Sequence, residues 1–243
     1  MFTILPSINV VDLALYIPKH KTLIIGDLHL GIEDAHRRAG MFVPKFNTKE
    51  VLERLTIILS RINKKGLYII VNGDVKHEHG RILDEEWRDI KKVFDVLQER
   101  GIITVIVGNH DKFLLPITKK HGIATTTHVL VNDVLIMHGD VLPDNELLKK
   151  CKTIIIGHEH PAVSLRDGNR VEKYKCFLKG TYKKKTLLVM PSLHTISEGT
   201  NVLAESRLSP FLPKNINAFE IFVVDEKVYP FGTIKQLLKL QKQ

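Results

Sequence analysis

Cysteine is nearly absent: Cys151 and Cys176 are the only two in 243 residues. Two thiols cannot build a disulfide framework or an all-cysteine zinc site, and the expectation is a pair of reduced side chains. Long apolar runs are missing too. The purest, Ile102 to Val107, has six residues and includes Thr104, far short of the roughly 20 that cross a bilayer. The N-terminus, Met1-Phe-Thr-Ile-Leu-Pro, lacks a basic region followed by a long apolar one. No secretory signal or membrane association is therefore read, and the cytoplasm is the expected location. No internal repeat or low-complexity segment stands out.

Acidic residues are in deficit. Lys+Arg number 36 against 27 Asp+Glu, a formal charge of +9. That balance is compatible with a polyanionic partner, DNA or RNA included, because neutralised phosphates release counterions. What the chain does have is histidine, 12 in all, the commonest metal ligand and the usual proton carrier.

Five short runs rich in Ile and Val each stop in a polar cluster. Thr22-Leu-Ile-Ile ends at Gly26-Asp27, and Leu67-Tyr-Ile-Ile-Val at Asn72-Gly73-Asp74. Ile102 to Val107 ends at Gly108-Asn109-His110-Asp111, Val134-Leu-Ile-Met at His138-Gly139-Asp140, and Thr153-Ile-Ile-Ile at Gly157-His158-Glu159-His160. Such runs bounded by glycine read as buried strands. Helical patterns separate the first three. Asn47 is expected to cap one helix, with Glu50 closing a capping box, and Val51, Leu55, Ile58, Leu59 and Ile62 form its apolar stripe. The next is expected to start near Asp84, with Trp87, Ile90, Phe94 and Leu97 facing the core. Alternating strands and helices predict a parallel sheet whose carboxyl ends gather the polar clusters on one rim.

After Pro161 the pattern changes to basic antiparallel hairpins over 162–185, with turns at Asp167-Gly168-Asn169 and Gly180-Thr181. Phe219 to Val224 and Lys227 to Phe231 read as a further strand pair, and Gly232 to Gln243 as a short amphipathic helix. No linker argues for a second domain. The expectation is one α/β domain over 1–243, with its motifs in about 21–161 and a mixed second sheet from the C-terminal half.

Carboxylates, a carboxamide and several imidazoles on one rim are what a pair of divalent transition ions needs. Oxygens supply charge, imidazoles select Mn, Fe, Zn, Co or Ni over Ca and Mg, and one carboxylate can bridge two ions. Asp27 and His29 lie two apart, so an extended loop would aim both one way and turn Leu28 inward. His158 and His160 repeat the device around Glu159. Asp111 reads either as a carboxylate orienting His110 or as the cap of a helix starting near Lys112.

The ordered set Gly-Asp-x-His, Gly-Asp, Gly-Asn-His-Asp, His-Gly, Gly-His-x-His resembles the calcineurin-like metallophosphoesterase superfamily. Gly26-Asp27-Leu28-His29-Leu30-Gly31 and Asn72-Gly73-Asp74-Val75-Lys76-His77-Glu78 look most like the archaeal phosphoesterases related to the nuclease SbcD. The resemblance implies a four-layer α-β-β-α sandwich of two mixed sheets. It implies one metal on Asp27, His29 and His160, another on Asn109, His138 and His158, and Asp74 between them, with Mn²⁺ the first expectation. It also implies phosphodiester hydrolysis by hydroxide generated at the metal pair, with His110 as proton donor to the leaving group. The SbcD-like nucleases carry a long insertion where this chain has only 28 residues between Asn109 and His138. A phosphomonoesterase or protein phosphatase on the same site, and a non-catalytic binding module, are the alternative readings. Oligomeric state stays open, a homodimer included.

Among residues outside the motif set, His77 is the best extra candidate for touching substrate, beside Lys76 and His79. His20, His121, His128 and His194 read as surface or packing residues, and His36, Arg37 and Arg38 as a solvated helix face. Arg166, Arg170, Lys173 and Lys175, interleaved with Tyr174 and Phe177, read as a nucleic-acid contact or as a solvated hairpin protected by lysine.

Overall fold

The computed structural model describes residues 1–80, 82–168 and 170–240. The predicted turn position Asn169 and the helix positions 241–243 lie outside the described residues. The chain divides into two compact units: residues 1–127 with 193–197, and residues 128–192 with 198–243.

In the first unit, β1 (Phe2–Leu5), β2 (Ile8–Val11), β3 (Ala14–Ile17) and β4 (Thr22–Gly26) are followed by α1 (Ile32–Arg38) and α2 (Asn47–Ile62). Then come β5 (Leu67–Asn72), α3 (Asp84–Gln98), β6 (Gly101–Ile106), α4 (Leu115–Lys120) and β7 (Ala124–Thr126). Among the described residues the strands form one mixed sheet in the order β1 to β7. β1 to β4 pair antiparallel and β4 to β7 parallel. The parallel half places the carboxyl ends of β4, β5 and β6 side by side, since Gly26, Asn72 and Ile106 are register partners.

The helices bury the predicted faces. Val51, Leu55, Ile58, Leu59 and Ile62 of α2, and Ile90, Phe94 and Leu97 of α3, are buried, each stabilising by about 1.5–3 kcal/mol relative to exposure. Two expectations need correction. Trp87 is only half-buried, and Lys120 lies over its ring; Glu86 and Val93 take the buried positions. Asn47 is the first helical residue, not the cap. The carboxylate of Glu33 on α1 accepts the N–H groups of Phe46 and Asn47, so a tertiary contact satisfies the orphan donors that a local cap would otherwise take. The side chains of Asn47 and Glu50 are thereby released to bond Thr195.

In the second unit, β8 (His128–Val131), β9 (Val134–Met137), α5 (Asn145–Lys149), β10 (Thr153–Ile156), β11 (Pro161–Asp167), β12 (Arg170–Tyr182) and β13 (Lys185–Val189) follow in order. β14 (Thr200–Asn201), β15 (Glu220–Val224), β16 (Val228–Thr233) and α6 (Ile234–Leu240) complete it. Among the described residues its nine strands form a second mixed sheet. β9, β10 and β13 are parallel, so Met137 and Ile156 end in register. β11, β12 and β13 are the antiparallel basic hairpins. Leu178, Phe211, Phe219 and Ile221 sit in the core of this unit. Cys151 and Cys176 are both buried and unpaired, and burial pushes the Cys176 thiol well above its ordinary range.

Glu159 anchors the loop after β10. Its side chain is fully buried and accepts the backbone N–H groups of Leu208 (2.9 Å) and Ser209 (2.8 Å). Burial raises the carboxyl pKa above the usual range despite those bonds. Glu159→Ala strands the buried N–H of Ser209 and frees the part-buried one of Leu208, and the expected cost is about 1–3 kcal/mol, read as a lower urea midpoint with an unchanged slope.

Candidate functional site

All five predicted polar clusters stand at the carboxyl ends of strands, three in each case following the parallel strands of the first sheet and two those of the second. The loops are not extended. Asp27 (φ 22°), His29 (φ 42°), Asp74 (φ 47°), His158 (φ 63°) and His160 (φ 48°) all occupy the left-handed region. Leu28 still turns inward and is fully buried; the turn, not strand alternation, sends it there. A non-glycine residue in that conformation costs on the order of 1–3 kcal/mol and persists where its surroundings over-determine it, typically at functional sites.

In the first unit the three loops are stitched together. Leu28 and His29 donate backbone N–H to the Asp74 carbonyl (3.0 and 2.9 Å), and Leu30 donates to Val75 (2.9 Å). Asp111, buried, ties the third loop to the second. Its Oδ1 accepts from the N–H groups of Val75 (3.0 Å) and Lys76 (3.3 Å), and its Oδ2 from that of Gly108 (3.0 Å). The helix expected near Lys112 starts only at Leu115, with Leu114 as its cap residue. Asp111 is therefore a loop tie and not a helix cap. Asn109, half-buried, sits in this held turn.

These bonds bring Asp27, His29 and Asp74 together, with ligand atoms within 4.8 Å of one another. His29 Nε2 lies 3.6 Å from Asp74 Oδ2. Asp74 Oδ1 accepts the backbone N–H of His110 at 3.0 Å, and His110 Nε2 lies 4.0 Å from Asp74 Oδ2. Gly108 is required here, because a Cβ would sit 2.3 Å from Asp74 Oδ1. His77 joins the group, its Nδ1 3.3 Å from that of His29, and its ring stacks on that of His110. Burial first, then the neighbouring imidazoles of His110, His36 and His79, lower the His77 pKa to about 4. It is neutral at neutral pH, with a ring nitrogen free to accept or ligate.

In the second unit His158 Nδ1 lies 3.2 Å from His138 Nε2. Gly157 N–H donates to the His138 carbonyl (2.8 Å), and Thr200 N–H to that of His160 (2.8 Å). The donor set, carboxylates with imidazoles, most of them in left-handed turns, fits divalent transition ions.

His194, read from its sequence as a surface or packing residue, is 2% exposed and packs edge to face on His29 at 5.2 Å. It lies in no motif; only the tertiary pairing of its backbone with Asp27 reveals it. His36 stays near His77, but Arg37 is taken by ion pairs with Asp34 and Glu85. On the basic hairpin, Lys173 Nζ reaches the Gly199 carbonyl (3.0 Å) and Glu205 (3.4 Å), and Lys175 Nζ reaches the carbonyl (3.1 Å) and hydroxyl (2.6 Å) of Ser192. Phe177 is buried and cannot stack on a base. Arg166 and Arg170 line a surface cavity of about 330 Å³ with Tyr174, Tyr229 and Phe231.

Among the described residues no helix is long and apolar enough to cross a membrane. No curated protein matches the chain significantly. Among solved structures, the nuclease MPE of Pseudomonas putida is 19% identical, with a TM-score of 0.63 over 91% of this chain and 93% of that one. At that identity the likeness shows the fold. A predicted phosphoesterase from Streptococcus pneumoniae (15% identity, 87% and 94% covered, TM-score 0.36) and zinc-bound Vps29 from Entamoeba histolytica (17%, 86% and 96%, 0.35) are more distant. Residues 20–180 match the family model described as calcineurin-like phosphoesterase. That span is more than half of the sequence, and it carries the five strand-end clusters: the chain belongs to the calcineurin-like phosphoesterase family.

Proposed function

We propose that this protein is a phosphodiesterase dependent on two divalent ions, acting on nucleic acid. Family membership makes it a hydrolase of phosphoester bonds. The observation that carries the metal part of this reading is that five of the left-handed non-glycine residues, Asp27, His29, Asp74, His158 and His160, stand at the strand ends and each offers a metal-ligand atom. In this reading Asp27, His29 and His160 hold one ion, Asn109, His138 and His158 the other, and Asp74 serves both. When bound, the ion pair supplies a nucleophile at neutral pH and neutralises phosphate oxygens. Mn²⁺ is the first candidate, with Fe, Zn, Co or Ni also fitting the donors.

The chain's own residues do the rest. Asp74 holds the His110 backbone, which sets the ring beside the ligands, and the ring protonates the departing oxygen. Asp111 keeps that turn in place. His77, neutral and stacked on His110, is aimed at substrate. Support for a diester comes from the net charge of +9, from the SbcD-like opening motifs, and from the nuclease activity named for the Pseudomonas structure. Lys173 and Lys175 have partners within their own unit, and Arg170 pairs with Glu172; Arg166, with Arg170 beside it in the same surface cavity, carries the nucleic-acid contact in this reading.

The test uses metal-stripped protein resupplied with Mn²⁺. Bis-p-nitrophenyl phosphate should be hydrolysed faster than the monoester, and end-labelled single-stranded DNA should be cut; a dominant monoester rate would overturn the reading. His110→Ala should lower the diester rate by about 10²–10⁴-fold with metal uptake unchanged. Arg166→Ala with Arg170→Ala should leave bis-p-nitrophenyl phosphate turnover intact and flatten the salt dependence of DNA binding by about one unit per lost phosphate contact.

A further inference from the structure

The chain leaves its second unit for only five residues, Leu193–Ser197, and joins the first. This strap lands on the ligand loop. Leu193 and His194 both donate backbone N–H to the Asp27 carbonyl, at 3.0 and 3.4 Å. Thr195 fixes the strap from the other side: its N–H donates to Asn47 Oδ1 at 3.3 Å, and its hydroxyl bonds Glu50. Leu193 is fully buried, as the apolar anchor. Between these fixings the imidazole of His194, 2% exposed, meets the ring of His29 edge-on at 5.2 Å and 89°. Each ring offers a nitrogen within 4.8 Å of the other.

From this geometry we infer that His194 is a further protein ligand of the divalent ion taken by Asp27 and His29. Two nitrogens on one ion, at about 2.0–2.1 Å each in tetrahedral to octahedral arrangement, stand roughly 3–3.5 Å apart, inside the separation that these two rings allow. A packing histidine has no need of a strap that bonds the backbone of a carboxylate ligand. Here Asp27 supplies its carboxylate to the ion and its carbonyl to the segment that carries His194, so one residue sets both donors. An added imidazole would weight that position toward nitrogen-preferring ions and against Mg²⁺. The inference rests on the proposed function only in requiring that Asp27 and His29 hold an ion.

The test reads metal binding, not turnover. Wild type, His29→Ala, His194→Ala, His194→Asn and Thr195→Val are stripped and titrated with Mn²⁺ and Co²⁺ against a chromophoric chelator, and bound metal is counted by elemental analysis. Both His194 variants are expected to weaken one of the two ions by about 10–100-fold, the loss seen when metal surroundings are altered, and to change the visible absorption of the Co²⁺ form. Thr195→Val, which removes only the hydroxyl bond to Glu50 and keeps the imidazole and the backbone bonds of the strap, should bind as wild type. Two ions held with unchanged affinity and spectrum in both His194 variants, while His29→Ala loses one, would overturn the inference and leave the proposed function standing. Metal-free His194 variants that melt well below metal-free wild type would make it a packing residue and overturn the inference as well. Wild type that takes up no ion would overturn both.

Discussion

Asp74→Asn is expected to remove metal-dependent phosphodiester hydrolysis, by at least about 10³-fold, or roughly 4 kcal/mol of transition-state stabilisation. The substitution separates charge from shape. Asp74 Oδ1 accepts the N–H of His110, and an amide oxygen in that place can go on accepting it. The turn that carries Asn109 and His110 should therefore keep its position. What disappears is the negative charge that Asp74 would supply to both proposed cations, without which each would be held by fewer anionic donors against the repulsion of the other. The metal-free protein should gain, because Asp27 and Asp74 bring carboxylate oxygens within 4.8 Å of one another and lose that like-charge repulsion in the variant. Metal-free Asp74→Asn is thus expected to melt at or above metal-free wild type, with metal adding less to its melting temperature. Turnover above about a tenth of the wild-type rate would remove the bridging role.

The strand-end clusters were legible because their signal is local. A short Ile/Val run that stops at glycine locates a strand end without any knowledge of the partner strand, and five such ends carried Asp27, Asp74, Asn109, His138 and His158 with them. The stripe of α2 was legible for the same reason, since period 3.6 is written in consecutive residues. What failed was whatever a distant residue decides. Glu33 caps α2 from another helix, and that contact shifted the helix start away from the Asn47 box. The left-handed turns at Asp27 and His29 are held by the Asp74 carbonyl, and no dipeptide in Gly26-Asp27-Leu28-His29 announces them. Lys173 and Lys175 look like exposed charge in the sequence and are spent on Gly199 and Ser192. His194 was read as a surface or packing residue, and its place beside His29 was not legible because its segment has no period and no motif; that place is set by the hydrogen bond of its backbone to Asp27, far back along the chain.

Asp111 tests whether the loops behave as one unit. Its buried carboxylate accepts three backbone N–H groups, from Val75, Lys76 and Gly108. Asp111→Ala leaves those three buried donors without this acceptor, and with about 1–3 kcal/mol for each unsatisfied buried group the expected loss is at least about 3 kcal/mol of stability. The second expectation concerns position. With the tie cut, the turn bearing Asn109 and His110 is free to move from the loop bearing Asp74, and a displacement near 1 Å costs on the order of 10²-fold in rate. Asp111→Asn divides the effect. Its amide oxygen can serve Val75 and Lys76 as Oδ1 does now, but its NH₂ then faces the N–H of Gly108, donor against donor. The alternative flip serves Gly108 and strands two donors instead. The amide should therefore recover part of the stability and not the whole. The order expected in urea melts is wild type, then Asn, then Ala, with diester hydrolysis falling in the same order at saturating Mn²⁺. An alanine variant as stable as wild type, or one that loses stability while keeping full turnover, would show that the strained turns are held from elsewhere.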